Sequence, residues 1–145
     1  MGLYRELAIA IPIFLIVTIF ASHLVVVPTS SMTPTIKEGD MVIVEKTNIL
    51  DMIKEFNPDN INVGDVIVYE KNSSSGTENI IHRVVAINDT GGQKYYILKG
   101  DNNTIDDPLK VYPNQVIAKG VNWGLNPMTI PQVGWILLKL KGGAL

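Results

Sequence analysis

The chain has 145 residues, with 12 Lys and Arg against 14 Asp and Glu, a net charge of −2 and no cysteine. That length holds about one domain. The missing cysteines exclude disulfides, a thiolate nucleophile and a cysteine-based metal site, and the scattered basic residues argue against a nucleic-acid-binding face.

Residues 1–6 read as a short stub whose charges, Arg5 and Glu6, give no orientation signal under the positive-inside rule. From Leu7 to Val27 the run "LAIAIPIFLIVTIFASHLVVV" contains no Asp, Glu, Lys or Arg. As a helix it would extend about 31 Å, the thickness of a bilayer core. Pro12 is tolerable near its start, and His23 can reach interfacial water at its far end. A cleavable signal peptide has a shorter apolar core, and Val27-Pro28 is a poor cleavage junction. The expected element is a retained transmembrane anchor over 7–27, followed by one compact domain over 28–145.

That domain opens on "VPTSSMTPT" (27–35), which by itself is a Ser/Thr/Pro hinge. Beyond it, period-2 apolar runs bounded by turn residues predict strands at 41–46, 65–70, 80–87, 94–99 and 115–121, so the fold class is mainly β. "NDTGGQ" (88–93) reads as a hairpin loop between the third and fourth strands. "EGDMVIVEK" (38–46) and "VGDVIVYEK" (63–71) echo each other, as two similar turn-then-strand segments would. Between them "ILDMIKEF" (49–56) has helical spacing and predicts a short surface helix or loop insertion. The apolar tail from Trp123 is broken by Pro127, Pro131 and Gly134; it either completes the core or lies at a membrane surface, where Trp123 and Trp135 would suit.

Three pieces can carry chemistry. His82 lies in a predicted strand, sharing a face with Ile80, Val84 and Ala86; a lone histidine there is usually a hydrogen-bonded core residue. "KGDNNTIDDP" (99–108) ends another strand with a Gly-Asp turn and an Asp-Asp pair. Asp101, Asn103, Asp106 and Asp107 are hard oxygen donors, but the spacing fails the EF-hand pattern, and an Asx-capped turn explains it as well. Serine needs a base to become a nucleophile, and imidazole needs an acceptor to fix its tautomer. Serine, histidine and acid occur here in that order, which permits a triad and leaves its members open. Sequons at Asn72 and Asn88 sit in predicted loops and could carry glycans; the one at Asn102 falls in the acidic turn.

An apolar anchor followed by "SSMTPT", "HRV" and "GDNNTIDD" resembles a type I signal peptidase, in the form found in archaea and in the catalytic subunit of the endoplasmic-reticulum complex. The resemblance runs from the anchor to about Gly120. It implies a transmembrane helix followed by a signal-peptidase-like β catalytic domain, with Ser31, directly before Met32, as nucleophile. Its base would be His82, where the bacterial branch has lysine, and Asp107 would orient the histidine. Asp101 would be a second important carboxylate, catalytic or structural, and Asp106 the weaker of its pair. Thr29 would help to hold the oxyanion and Met32 would line the substrate site. The implied substrates are signal peptides of secretory and membrane preproteins, cut after small residues without cofactor or metal. The implied setting is a single-pass protein in the cell membrane, its domain facing outside or the lumen and associating with the secretion translocon. The rival reading is a non-enzymatic membrane-anchored β module for binding or assembly.

Overall fold

A computed structural model describes residues 2–46, 56–74 and 76–142. Helix α1 (Gly2–Ser22) is apolar and exposed on every side, a pattern stable in lipid rather than in water. It is long and apolar enough to cross a membrane. Within it the Thr18 hydroxyl donates back to the Phe14 and Leu15 carbonyls, so a polar group that lipid could not solvate is satisfied internally.

The apolar run expected to be helical through Val27 is divided. Leu24–Val26 form strand β1, paired antiparallel with β2 (Met41–Lys46). The residues concerned are Leu, Val and Val, and β-branched side chains favour a strand once a partner edge is available. His23 is the single residue between helix and strand. Its N–H donates to the Phe20 carbonyl at 3.0 Å, and its own carbonyl accepts from Val44 N at 2.9 Å.

The remaining strands are β3 (Val66–Ser73), β4 (Gly76–Thr90), β5 (Gln93–Lys99) and β6 (Val116–Gly120), followed by the short β7 (Asn122–Trp123), β8 (Asn126–Pro127) and β9 (Thr129–Ile130). The main sheet is antiparallel with order β1-β2-β6-β3-β4-β5, and β9 also pairs with β2. β6 and β9 run along one edge of β2, interrupted where β7 and β8 leave as a hairpin. Val121 N donates to Ile43 O, and Ile43 N donates to Met128 O, on either side of that excursion. Trp123 and Leu125 on the hairpin are 79% and 89% exposed. The sheet coils until the chain after β1 meets β4, which are four places apart in its order.

Every strand expected from the sequence is present, although β4 is longer than expected and its turn shrinks to Gly91 and Gly92. Asn72 and Asn88, expected in loops, therefore lie within β3 and β4. β3 is buried on both faces. Val66 and Val68 join a cluster with Val27, Met32, Ile36 and Ile81, while Ile67 and Tyr69 join another with Val84, Tyr96 and Leu98. β4 carries a bulge opposite β5 between Val84 and Ala86, so the face holding Ile80 and Val84 continues through Ile87 rather than Ala86.

The echo at 38–46 and 63–71 is a repeated turn. Asp40 Oδ2 accepts from Lys37 N and Asp65 Oδ2 from Asn62 N, each at 2.9 Å. Each turn needs a left-handed glycine, Gly39 at φ 83° and Gly64 at φ 99°. Of the segment expected as a helix or loop over 49–56, residues 49–55 lie outside the described residues. The C-terminal stretch ends in α2 (Gly134–Gly142), which packs beside β1.

Candidate active site

The hinge at 27–35 is a tight turn held by Thr33 N to Ser30 O and Ile36 N to Met32 O. Met32 and Ile36 are fully buried in the core between β1 and β4. Burying a side chain of that size contributes about 1.5–3 kcal/mol, enough to fix which residue of the turn faces outward. Ser30 is exposed and Ser31 half-buried. Met32 is thus corrected from a substrate-lining residue to the core anchor that presents Ser31.

His82 is brought to Ser31 by the coiling of the sheet, and to Asp107 by where β5 stops. Arg83 pairs with Lys99, the last residue of β5. The chain then turns across the next position back along β4, which is His82, while Asp107 N binds Leu98 O at 2.7 Å. His82 Nδ1 lies 2.5 Å from Asp107 Oδ2, and Nε2 lies 3.2 Å from Ser31 Oγ. A carboxylate only accepts hydrogen bonds, so Nδ1 carries the proton and Nε2 offers its lone pair to the serine hydroxyl. Both His82 and Asp107 are largely buried, which strengthens this polar chain by excluding water. Thr29 Oγ1 lies 3.2 Å from Ser31 Oγ.

The sequence reading missed three contributors. The Tyr69 hydroxyl donates to Asp107 Oδ2 at 3.3 Å, the oxygen that also faces His82. Burial, then the neighbouring Asp107 charge and that hydrogen bond, push the phenol well above its ordinary range, so it stays a donor. Nothing in "VIVY" distinguishes such a tyrosine from a core residue. Arg83, visible only as the neighbour of His82, donates Nε and Nη2 to the two oxygens of Asp101 at 2.8 and 2.7 Å, and Nη1 to Gly64 O at 2.8 Å. Asp101, left open between a catalytic and a structural carboxylate, is therefore the partner of Arg83, with hydrogen bonds to neither Ser31 nor His82 among the described residues. Burial alone would raise the Asp101 carboxyl. The hydrogen bonds from Arg83 and Thr35 and the Arg83 charge outweigh it and hold the group below the usual carboxylate range. Asp106 is exposed.

Gly100 is the third contributor. Asn102 N donates to Ser31 O at 2.8 Å, laying the acidic turn against the serine. A Cβ on Gly100 would stand 2.6 Å from Ser31 O and 2.8 Å from Asn103 Nδ2. Only glycine permits that approach. Gly100→Ala should displace Ser31 and lower kcat/KM by about 10²-fold, as angstrom-scale misplacement of a reacting group does; steady-state kinetics on the purified variant would show it.

A serine hydroxyl, an imidazole and a buried carboxylate in one hydrogen-bonded line suit acyl transfer. Residues 1–107 match the family described as signal peptidase, peptidase S26. The chain belongs to that family. It is a hydrolase of the signal-peptidase class, and the single apolar helix α1 fits a membrane-anchored protein. Among curated relatives, the signal peptidase complex catalytic subunit of Lachancea thermotolerans is 34% identical over 85% of this chain and 68% of its own length. That of Schizosaccharomyces pombe is 31% identical over 69% of this chain and 56% of its own length. An uncharacterised protein of Methanocaldococcus jannaschii is 29% identical over 83% of this chain and 84% of its own length. No solved structure matches the chain.

Proposed function

We propose that this signal peptidase works by Ser31/His82/Asp107 acyl-enzyme chemistry, removing signal peptides from secretory and membrane preproteins after small residues. The observation that carries the reading is His82, hydrogen-bonded through one nitrogen to Ser31 and through the other to Asp107. As Ser31 Oγ attacks the substrate carbonyl, its proton passes to His82 Nε2, and Asp107 stabilises the imidazolium. The oxyanion is held by the Ser31 N–H and the Thr29 hydroxyl. Collapse breaks the peptide bond, and the departing amine takes the proton from Nε2. Water then attacks the ester, giving its proton to Nε2; on collapse that proton returns to Ser31 and the signal peptide is released.

The outer edge of β1 and residues 77–82 of β4 have no strand partner among the described residues on the sides away from β2 and β3. An extended peptide can add to these edges as a strand. The catalytic domain is the segment after α1, on the outer or lumenal side, with preproteins delivered by the secretion translocon. Purified protein in detergent should cut a synthetic Ala-x-Ala peptide after the second alanine, and a serine-directed acylating probe should label Ser31. Failure of both would leave the chain a binding module.

Tyr69→Phe tests the hydrogen-bond chain. The tyrosine hydroxyl and His82 Nδ1 share Oδ2 of Asp107, so without that hydroxyl the carboxylate that orients the imidazole is held less firmly. Steady-state kinetics should show kcat falling by less than about tenfold with KM little changed. A lower melting temperature with unchanged kcat would make Tyr69 purely structural.

A further inference from the structure

The tail after β9 takes no part in this mechanism, yet it is firmly seated beside the site. Gln132 N donates to the buried Asp40 Oδ1 at 3.0 Å. The Trp135 ring lies where a Cβ on Gly39 would stand, 2.3 Å away, and a Cβ on Gly134 would meet Val26 Cγ1 and Gly39 O at 2.7 Å. These contacts fix the start of α2 against β1. Its next turns carry Leu137, Leu138 and Leu140 along one wall of a groove of about 790 Å³. Leu137 and Leu140 remain 47% and 72% exposed.

The opposite walls come from the two unpaired edges, Val25 and Val26 of β1 and Asn79 and Ile81 of β4. The groove reaches to within a few residues of the catalytic centre along the chain, for Ile81 precedes His82 and Pro28 lies three residues before Ser31. Among the described residues no charged side chain lines it. Both β1 and β4 run toward the site, and β1 starts one residue beyond the end of α1. A chain leaving the bilayer beside α1 therefore enters this groove at its far end and reaches Ser31 last.

We propose that the leucine face of α2 binds the apolar stretch of the substrate on the N-terminal side of the bond cut, making α2 a specificity wall. The proposal rests on the peptidase reading above. An apolar core of roughly 7–15 residues is what separates a signal peptide from other peptides ending in small residues. A groove formed by the strand edges alone would read only the few residues next to the bond.

The test compares a full preprotein with a short peptide holding only the residues around the bond, both in detergent. In Leu137→Ser/Leu140→Ser protein the ratio of kcat/KM for preprotein to that for peptide should fall about tenfold, through a raised KM. In Ser31→Ala protein, a photo-crosslinker within the apolar stretch of the preprotein should label residues 134–142. An unchanged ratio, or labelling elsewhere, overturns the proposal. So does a loss confined to vesicles, which would assign α2 to the bilayer surface. Wild-type protein that cuts neither substrate overturns the peptidase reading along with it.

Discussion

Ser31→Ala should lower preprotein cleavage by about 10⁴–10⁶-fold, the scale seen when a serine nucleophile is deleted. Its effect on folding should be within about 0.5 kcal/mol, because only one hydroxyl at the rim of the site is removed. Among the described residues its side-chain partners are His82 Nε2 and Thr29 Oγ1, both 3.2 Å away, and Met32 and Ile36 still anchor the turn. The discriminating control is Ser30→Ala. Ser30 is exposed beside the nucleophile, so a hinge that merely needed small polar residues would treat the two changes alike. Cleavage assayed by gel shift, with thermal melts in parallel, gives both readouts. Retained activity in Ser31→Ala would sink the mechanism.

Asp101→Asn is expected to produce the largest loss of stability, about 2–4 kcal/mol, as breaking a mostly buried, bidentate ion pair leaves the other charge uncompensated. Arg83 would keep its cation while losing the anion that accepts from Nε and Nη2. The same guanidinium holds the Gly64 turn and reaches Leu125 O at 3.3 Å, so three loops around His82 would loosen together. The effect carries a pH signature. Folding lowers the Asp101 carboxyl below its ordinary 3.8, so the native state favours the charged form. Its stabilising contribution is complete above that value and is lost as pH falls through the depressed folded one. The melting-temperature gap between wild type and variant should therefore be constant at neutral pH and narrow below about pH 4. A gap that persists undiminished in acid would show that Asp101 acts through shape rather than charge.

The strands, and the three pieces whose Ser31, His82 and Asp107 the structure brings together, were legible because each leaves a local mark. Alternating Val and Ile between Gly-Asp turns marks a strand, and a Ser-Met pair, a His-Arg pair and a Gly-Asp turn each mark a piece of chemistry. What escaped is set by distant contacts. Leu24–Val26 resemble the helix before them until β2 offers an edge. Met32 looks like a substrate-lining residue until the core behind it is assembled. Tyr69 acquires its role only because β5 ends opposite Arg83 and throws Asp107 back across β3. Apart from the resemblance, Asp101 and Asp107 are equally plausible acids in the sequence; the contacts of Asp107 with His82 and of Asp101 with Arg83 separate them.

The junction at His23 has a mechanical consequence. Its N–H belongs to the helix and its carbonyl to the sheet, so no slack lies between anchor and domain. A flexible tether would let the nucleophile sweep a shell of heights above the lipid. Here one residue separates helix from sheet, which narrows that range of heights for Ser31. On the proposed mechanism the enzyme is a depth gauge as well as a reader of small side chains: a suitable bond held at the wrong level is out of reach, however long its substrate lingers.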